Sequence, residues 1–243
     1  KVFDNPKDED IIYRIVNIGT SPDSLILDFF SGSATTAHAV MQLNAEDGGK
    51  RKYICVQLPE ETPEGSEARK AGYATIPEIA KERIRRAGRK IKEESPLTTQ
   101  DLDTGFRVFR IDSGNYKNVT MQPNEYDQQM LDLFVDNIKA DRTDLDLLFG
   151  AMLAWGVQLS LPMTTEEVDG CKIYAVDGNG LVACFAENIS ENVVQAMAAK
   201  QPLRVLFRDS CFDEDKTKIN IFERFKQQLD WDEKEAIQNI RVV

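Results

Sequence analysis

Residues 24–60 read SLILDFFSGSATTAHAVMQLNAEDGGKRKYICVQLPE, and their apolar residues and glycine predict a strand, a tight turn, a helix and a second strand. Residues 25–27 form a short apolar run after a turn signal, as a buried strand does. Residues 34–43 are small and apolar and predict the helix, and residues 53–58 predict the second strand. A strand, a helix and a strand in this order form one half of a doubly wound parallel α/β sheet.

Polar residues and one glycine lie where this predicted sheet would bind a ligand. In doubly wound sheets, ligands bind outside the carboxyl ends of the strands, and a glycine there lets a ligand approach the backbone. Asp28 ends the first predicted strand, Gly32 lies in the turn, and Gln57 lies near the end of the second strand. The candidate binding residues of this segment are Asp28, Phe29, Phe30, Gly32, Ser33, Ala34, Thr35, Thr36 and Gln57.

The turn at Gly32 lacks the features of a phosphate-binding loop. A Walker-type loop has a lysine directly after its last glycine, but the first lysine after Gly32 is Lys50. The dinucleotide pattern GxGxxG is absent as well, since Ala34 stands where the second glycine would be. A nucleotide hydrolase is therefore a weak alternative, and the turn favours a cofactor without a pyrophosphate, with S-adenosylmethionine (AdoMet) as the leading candidate.

Three side chains of this segment have predicted roles towards AdoMet. Asp28 would pair with the ammonium group of the methionine part through a charge-assisted hydrogen bond, although a strand-end carboxylate can also cap the next turn. Gln57 occupies a position that often holds an acid for the ribose hydroxyls, and a glutamine can both donate and accept there. Phe30 suits a contact with the adenine and a place in the core equally well.

DFFSGSATTAHAV, residues 28–40, resembles motif I of the β-group amino-methyltransferases that act on DNA, usually written DxFxGSGTT. FDNPK, residues 3–7, resembles motif X of one branch of that group. This branch comprises the modification (Mod) subunits of Type III restriction–modification systems, which are adenine-N6 methyltransferases. Later segments such as IAKERIRRAGRKI and LRVLFRDSCFDEDKTKIN resemble the same branch, so the resemblance extends nearly from end to end.

The resemblance implies a fold, a cofactor wall and partners. The fold would be part of a Rossmann-like AdoMet-dependent methyltransferase sheet in residues 1–120, followed by a smaller α/β domain in residues 121–243. Phe3, Asn5 and Lys7 of motif X would form a wall of the AdoMet pocket. The implied partners are DNA, a restriction (Res) subunit and a second copy of the full-length protein.

The sequence departs from the family pattern at two points. Ala34 replaces a glycine of motif I, and an alanine costs little there at negative φ but is strained at positive φ. The catalytic tetrapeptide of the class, (D/N)PP(Y/F), does not occur in the sequence, so we assign no catalytic residue in this chain. In the family that tetrapeptide lies upstream of motif X, and this chain opens with Lys1 rather than Met.

These departures lead to two hypotheses. We expect the carboxyl-terminal part of a site-specific DNA adenine-N6 methyltransferase, inactive by itself because the residues that hold the target amine are missing. The alternative is a non-catalytic interaction module that retains the methyltransferase fold and binds a partner protein without a cofactor.

Composition sets further bounds. The net charge of −11 disfavours a main DNA surface in this chain, and the resemblance implies that the upstream region binds the DNA. The sequence contains 4 cysteines without a CxxC pair and 1 histidine, and we therefore predict no metal site. The scattered cysteines suit free thiols in a reducing cytoplasm, and no apolar run approaches the ~20 residues of a membrane span. We therefore expect a cytoplasmic protein without a membrane partner, and the resemblance implies a bacterial or archaeal source.

Apolar spacing predicts the remaining elements. Acidic residues at positions 8–10 would begin a helix that Gly19 ends, with a buried stripe of Ile11, Ile12, Ile15 and Val16. Residues 44–52 predict a polar surface loop, residues 76–91 a helix with a solvated basic face, and residues 106–111 a half-buried strand. The predictions for the rest are helices at 126–138, 145–159, 190–199 and 216–229, a hairpin at 172–185 and a strand at 203–207.

Overall fold

The computed structural model describes residues 2–3, 6–117, 137–212 and 215–243. The chain divides into two compact units, Lys1–Val108 and Phe109–Val243. The predicted boundary between residues 120 and 121 and the greater part of the predicted helix at 126–138 lie outside the described residues. The second unit is the longer one, whereas the sequence predicted a smaller second domain.

The first unit has the predicted strand–helix–strand order. Its elements are α1 (Glu9–Gly19), β1 (Leu25–Asp28), α2 (Thr35–Asp47), β2 (Lys52–Cys55), α3 (Glu67–Lys70) and α4 (Ile76–Glu94). β1 and β2 pair in parallel, with Leu25 opposite Lys52 and Asp28 opposite Cys55. Parallel neighbours need a long crossover connection, and α2 supplies it.

Three helices cover one face of the β1–β2 sheet. Met41 of α2 packs with Ile84 of α4, and Val40 of α2 packs with Val16 of α1 and with Ile26 of β1. The buried residues of α4 recur at helical spacing, as predicted: Ile79, Ala80, Ile84, Ala87, Gly88 and Ile91. The core of this unit therefore lies between the helices and one side of the sheet.

The opposite face of the β1–β2 sheet is apolar and exposed in the described chain. Leu25, Leu27 and Ile54 are 63%, 60% and 47% exposed. Side chains alternate along a strand, so these residues point away from the helices that Ile26 contacts. Purely parallel sheets are normally covered on both faces, and this unit covers one.

The predicted buried stripe of α1 is half wrong. Val16 is buried and Ile12 packs beside it against α2, but Ile11 and Ile15 are 59% and 61% exposed. A helix that packs against a single neighbour buries only one line of residues, and α1 uses the line of Ile12 and Val16. The predicted acidic start of α1 is confirmed for Glu9 and Asp10, which lie in the first turn. Asp8 is the N-cap instead, and its carboxylate accepts from the N–H groups of Asp10 and Ile11.

α2 continues four residues beyond its predicted end at residue 43. Asn44 is 8% exposed, and its side chain donates to the carbonyl oxygen of Arg51 at 2.9 Å and accepts from the Arg51 N–H at 3.1 Å. The buried Arg51 guanidinium donates to both carboxylate oxygens of Asp47. The prediction of a surface loop over residues 44–52 is therefore wrong for Asn44 and Arg51, which join the end of α2 to the start of β2.

The second unit contains a mixed sheet. Its described elements are α5 (Asp144–Ala154), β3 (Met163–Val168), β4 (Cys171–Val176), β5 (Leu181–Cys184), α6 (Glu191–Ala199), β6 (Val205–Phe207), a 3₁₀ turn (Asp209–Cys211), α7 (Asp215–Gln228), α8 (Glu233–Asn239) and β7 (Ile240–Val242). In the described residues the strand order is β3-β4-β5-β6-β7. β3, β4 and β5 pair antiparallel, and β6 and β7 add in parallel.

This sheet has helices on both faces. Along β5, Leu181 and Ala183 pack with α5, and Val182 and Cys184 pack with α6 and α7. The predicted hairpin and the helix at 190–199 are confirmed. The helix predicted at 145–159 ends at Ala154. The helix predicted at 216–229 is followed by a further helix, α8. Residues 106–111 form neither helix nor strand in the described structure.

Candidate functional site

The turn between β1 and α2, residues 29–34, is the centre of the candidate site, and we call it the glycine turn. The N–H of Ser31 donates to the carbonyl oxygen of Val56 at 3.1 Å. The N–H of Gly32 donates to the side-chain oxygen of Gln57 at 2.8 Å. The segment after β2 therefore fixes the turn from one side, at the carboxyl end of the strands where ligands of such sheets bind.

Two residues of the glycine turn have left-handed backbone conformations. Gly32 has φ +51°, which a glycine adopts freely. Ala34 has φ 60° and ψ 45° and is fully buried. For a residue with a Cβ this conformation costs about 1–2 kcal/mol. The sequence left open whether Ala34 has a negative φ, which costs little, or a positive φ, which is strained. The structure has the strained conformation, and other contacts must hold Ala34 in place.

Asp28 lies at the end of β1 with a half-buried carboxylate. Its Oδ2 accepts a hydrogen bond from the Thr36 hydroxyl at 2.6 Å, which ties the end of β1 to the first turn of α2. Across the sheet, burial raises the pKa of the Cys55 thiol to about 11, and the negative charge of Asp28 acts in the same direction. The thiol therefore stays protonated at neutral pH.

Three aromatic rings lie at the glycine turn, two of them from the turn itself. Phe29 and Phe30 are 60% and 72% exposed, with ring centroids 5.5 Å apart in an edge-to-face arrangement. Of the two roles that the sequence left open for Phe30, a place in the core of the described chain is excluded. The ring of Phe3 lies against Gly32, 3.3 Å from the point that a Cβ would occupy.

The motif X segment contacts the site through a backbone carbonyl as well as through the Phe3 ring. The Thr35 hydroxyl lies 3.5 Å from the carbonyl oxygen of Lys7, whereas Asn5 lies outside the described residues. An open cleft of about 510 Å³ begins here, with Phe3, Lys7, Ser33, His38 and Arg83 in its lining. Phe3, Lys7 and Ser33 therefore share one concave surface.

Arg83 of α4 belongs to the site, although the sequence placed it on a solvated face. Its Nη1 donates to the Ser33 hydroxyl at 2.9 Å and to the Thr35 hydroxyl at 2.7 Å. Its Nη2 lies 3.7 Å from Oε2 of Glu9 in α1. Sequence reasoning missed this contact because a basic residue on an amphipathic helix carries no mark of the distant partner that it meets.

Glu9 and His38 complete this group. His38 Nδ1 lies 2.8 Å from Glu9 Oε2. Burial lowers the pKa of His38 to about 4, and the charges of Arg83 and Lys90 act in the same direction. Burial also raises the pKa of Glu9. Because the imidazole is uncharged at neutral pH, the ion pair at Glu9 is the one with Arg83.

Comparison with known proteins finds similarity to DNA methylases and to modification subunits. A family model described as DNA methylase matches residues 1–68. The StyLTI Mod subunit, a Type III restriction–modification protein of Salmonella typhimurium LT2, is 46% identical over 109 residues, which are 45% of this chain and 16% of that protein. The EcoPI Mod subunit of Escherichia phage P1 is 32% identical over 206 residues, 82% of this chain and 30% of that protein.

This chain is a relative of the Type III Mod subunits. The EcoP15I Mod subunit of Escherichia coli is also similar, with 28% identity over 223 residues, 87% of this chain and 32% of that protein. The chain spans less than a third of the length of each of these three relatives.

In this relative of the Mod subunits, most of the predicted cofactor residues lie together at the glycine turn. Asp28, Gly32, Ala34, Thr36 and Gln57 are joined through the turn and its hydrogen bonds. Their roles towards a cofactor stay predictions. Within the described ranges, no group of three or more His, Cys, Asp or Glu side chains could hold a metal ion. Every helix in those ranges is too short or too polar to cross a bilayer.

Proposed function

We propose that this chain is the AdoMet-binding part of a site-specific DNA adenine-N6 methyltransferase, as in a Type III Mod subunit. The supporting observation is the glycine turn, which Gln57 ties to the end of β2 beside the carboxylate of Asp28. The first unit would then be one half of a Rossmann-like sheet. Its exposed face at Leu25, Leu27 and Ile54 fits a sheet that further elements of the full-length protein cover.

The residues at the turn fit AdoMet in charge and shape. The half-buried Asp28 carboxylate suits an ammonium group, because a charge-assisted hydrogen bond is strong where water is partly excluded. The exposed rings of Phe29 and Phe30 suit an adenine ring, since aromatic rings prefer offset or edge contacts. Gly32 has no Cβ, and the Phe3 ring lies 3.3 Å from the point that a Cβ would occupy, so a flat ring can approach the backbone closely there.

The site residues of this chain have positioning roles in the proposed reaction. When bound, AdoMet supplies the methyl group. Asp28 would hold the ammonium group, and Gln57 would keep the turn in shape through Gly32 while its amide N–H donates to the ribose. The target adenine would be flipped out of the duplex and held by the upstream (D/N)PP(Y/F) residues of the full-length protein. The rate gain would come from orientation of the two reactants.

The full-length protein would work with partners that this chain does not supply. Its upstream region would bind the DNA, a Res subunit would join it for restriction, and a second copy would complete a homodimer. Such a complex would act in the cytoplasm of a bacterium or archaeon. These roles follow the similarity to the Mod subunits of StyLTI, EcoPI and EcoP15I.

The test is calorimetric titration of the full-length protein with AdoMet, repeated with Asp28→Asn. Asparagine keeps the acceptor for the Thr36 hydroxyl and removes only the charge. We expect the substitution to weaken binding at least tenfold, about 1.4 kcal/mol, while Asp23→Asn in the exposed turn before β1 leaves the affinity unchanged. Equal affinities of the wild type and Asp28→Asn would remove Asp28 from the site.

The second candidate function is an interaction module without a cofactor. The strained Ala34 favours it, because a glycine at this position would form the same turn without the cost of a left-handed Cβ. If the full-length protein does not bind AdoMet at all, the methyltransferase proposal is wrong and this candidate takes its place.

A further inference from the structure

Ala34 is strained, and the contacts on either side of it come from another helix. Its own backbone makes two hydrogen bonds: its N–H donates to the carbonyl oxygen of Ser31 at 2.8 Å, and its carbonyl oxygen accepts from the N–H of His38 at 3.4 Å. The hydroxyl oxygens of its two neighbours, Ser33 and Thr35, both accept hydrogen bonds from the same nitrogen of Arg83. One guanidinium therefore bridges the residue before and the residue after the strained alanine.

Arg83 is itself held in a fixed place. It lies on α4, whose buried residues Ile79, Ile84 and Ala87 fix the helix in the core of the first unit. On its other side Arg83 faces the carboxylate of Glu9 at the start of α1. Its side chain is 22% exposed, so a bond from it is less screened by water than a bond from a surface arginine.

We infer that Arg83 is a positioning residue that holds Ser33 and Thr35 so that the glycine turn keeps its ligand-ready shape before AdoMet arrives. This inference rests on the proposed function. Arg83 acts through the turn, in which Ala34 would otherwise relax towards the right-handed region that alanine prefers. A ligand that meets a turn already in its bound shape does not have to bear the cost of ordering it.

A double-mutant cycle in the full-length protein tests this role. Arg83→Met removes the hydrogen-bond donors while keeping much of the side-chain length, and Ala34→Gly removes the strain that the donors oppose. We expect Arg83→Met to weaken AdoMet binding about tenfold. In the Ala34→Gly background the same change should weaken it less than about threefold, because a glycine keeps the turn without help. Arg83→Lys, which retains a donor, should recover most of the affinity.

Arg89→Met is the matched control. Arg89 lies on the same helix, its side chain is 63% exposed, and it pairs with Glu82 at 3.7 Å. Its loss should leave AdoMet affinity unchanged. A purely structural role of Arg83 would lower the unfolding midpoint in both backgrounds alike and would show no rescue of affinity by Ala34→Gly.

The outcomes separate the inference from the proposed function. If the wild type binds AdoMet and Arg83→Met binds it equally well, or is not rescued by Ala34→Gly, the positioning role is wrong and the proposed function stands. If the wild type does not bind AdoMet, the proposed function is wrong, and the inference that rests on it is wrong with it. Should Arg83→Met not fold, the pair Ser33→Ala and Thr35→Val removes the two acceptors instead, and rescue of that pair by Ala34→Gly decides the question.

Discussion

Protonation of His38 should destabilise the fold, and His38 is the only histidine of the sequence. The change to be made is His38→Gln, which keeps a neutral N–H donor for Glu9 but cannot titrate. In the folded state burial lowers the pKa of His38 to about 4 from its ordinary 6.5. The folded protein then binds fewer protons than the unfolded chain, so this contribution to stability is complete above pH 6.5 and is lost as the pH falls towards 4.

The size of the effect follows from the two pKa values. Between pH 7 and pH 5 a shift from 6.5 to about 4 would remove about 1.8 kcal/mol from the free energy of unfolding, at 1.36 kcal/mol per pH unit. Two features reduce this figure. The ring is not fully withdrawn from water, which screens the charge, and a protonated ring would gain attraction from Glu9 at 2.8 Å. We expect a loss of about 1 kcal/mol.

The assay is urea unfolding of the wild type and of His38→Gln at pH 7, 6 and 5. Carboxylates that titrate near pH 5 are common to both proteins, so the difference between the two free energies isolates His38. As the pH falls from 7 to 5, the free energy of unfolding of the wild type should decrease by about 1 kcal/mol more than that of His38→Gln. Parallel curves would refute the shifted pKa, and a gain by the wild type at pH 5 would mean that the attraction of Glu9 outweighs burial.

Two further predictions concern the glycine turn and the thiols. Gln57→Leu should lower the free energy of unfolding by about 1–2 kcal/mol, because it leaves the N–H of Gly32 without its acceptor. In urea unfolding, the control Gln57→Glu should stay within about 0.5 kcal/mol of the wild type. Equal losses in the two variants would contradict the role of this bond. Burial raises the pKa of Cys184 to about 11 and that of Cys211 to about 12, so native protein at pH 8 should react with a disulfide reagent first at the partly exposed Cys171. Cys171→Ser should remove the fast phase, and a fast phase that survives it would contradict this assignment.

Local patterns predicted the parts of the fold that depend on neighbours in sequence. The run at residues 25–27, the helix after it and the hairpin around Gly178 all lie within a few residues of the turns that bound them. Turn and propensity signals act over such distances. The same rules failed at residues 106–111, where alternation of arginine and apolar residues needs a neighbouring strand before it can form one.

The site was predictable to the extent that it is local. The glycine turn with Asp28 and Gln57 follows from the order of a strand, a glycine and a second strand. The bond from Arg83 does not, because it depends on where α4 lies relative to α2, and the left-handed φ of Ala34 was one of two alternatives that the sequence left open. The exposed line of α1 at Ile11 and Ile15 was missed for the same reason, since apolar spacing cannot tell which of two adjacent lines meets a neighbour.

The exposed apolar face of β1 and β2 has a consequence for how molecules of this chain behave towards one another. Leu25, Leu27 and Ile54 lie open on a molecule whose net charge is −11. Like-charged molecules repel over a Debye length, which is about 10 Å at 0.1 M salt and about 3 Å at 1 M. Hydrophobic attraction is not screened by salt. Colloidal repulsion therefore separates these faces in dilute buffer, and ionic strength, as much as protein concentration, sets how readily two molecules stick together.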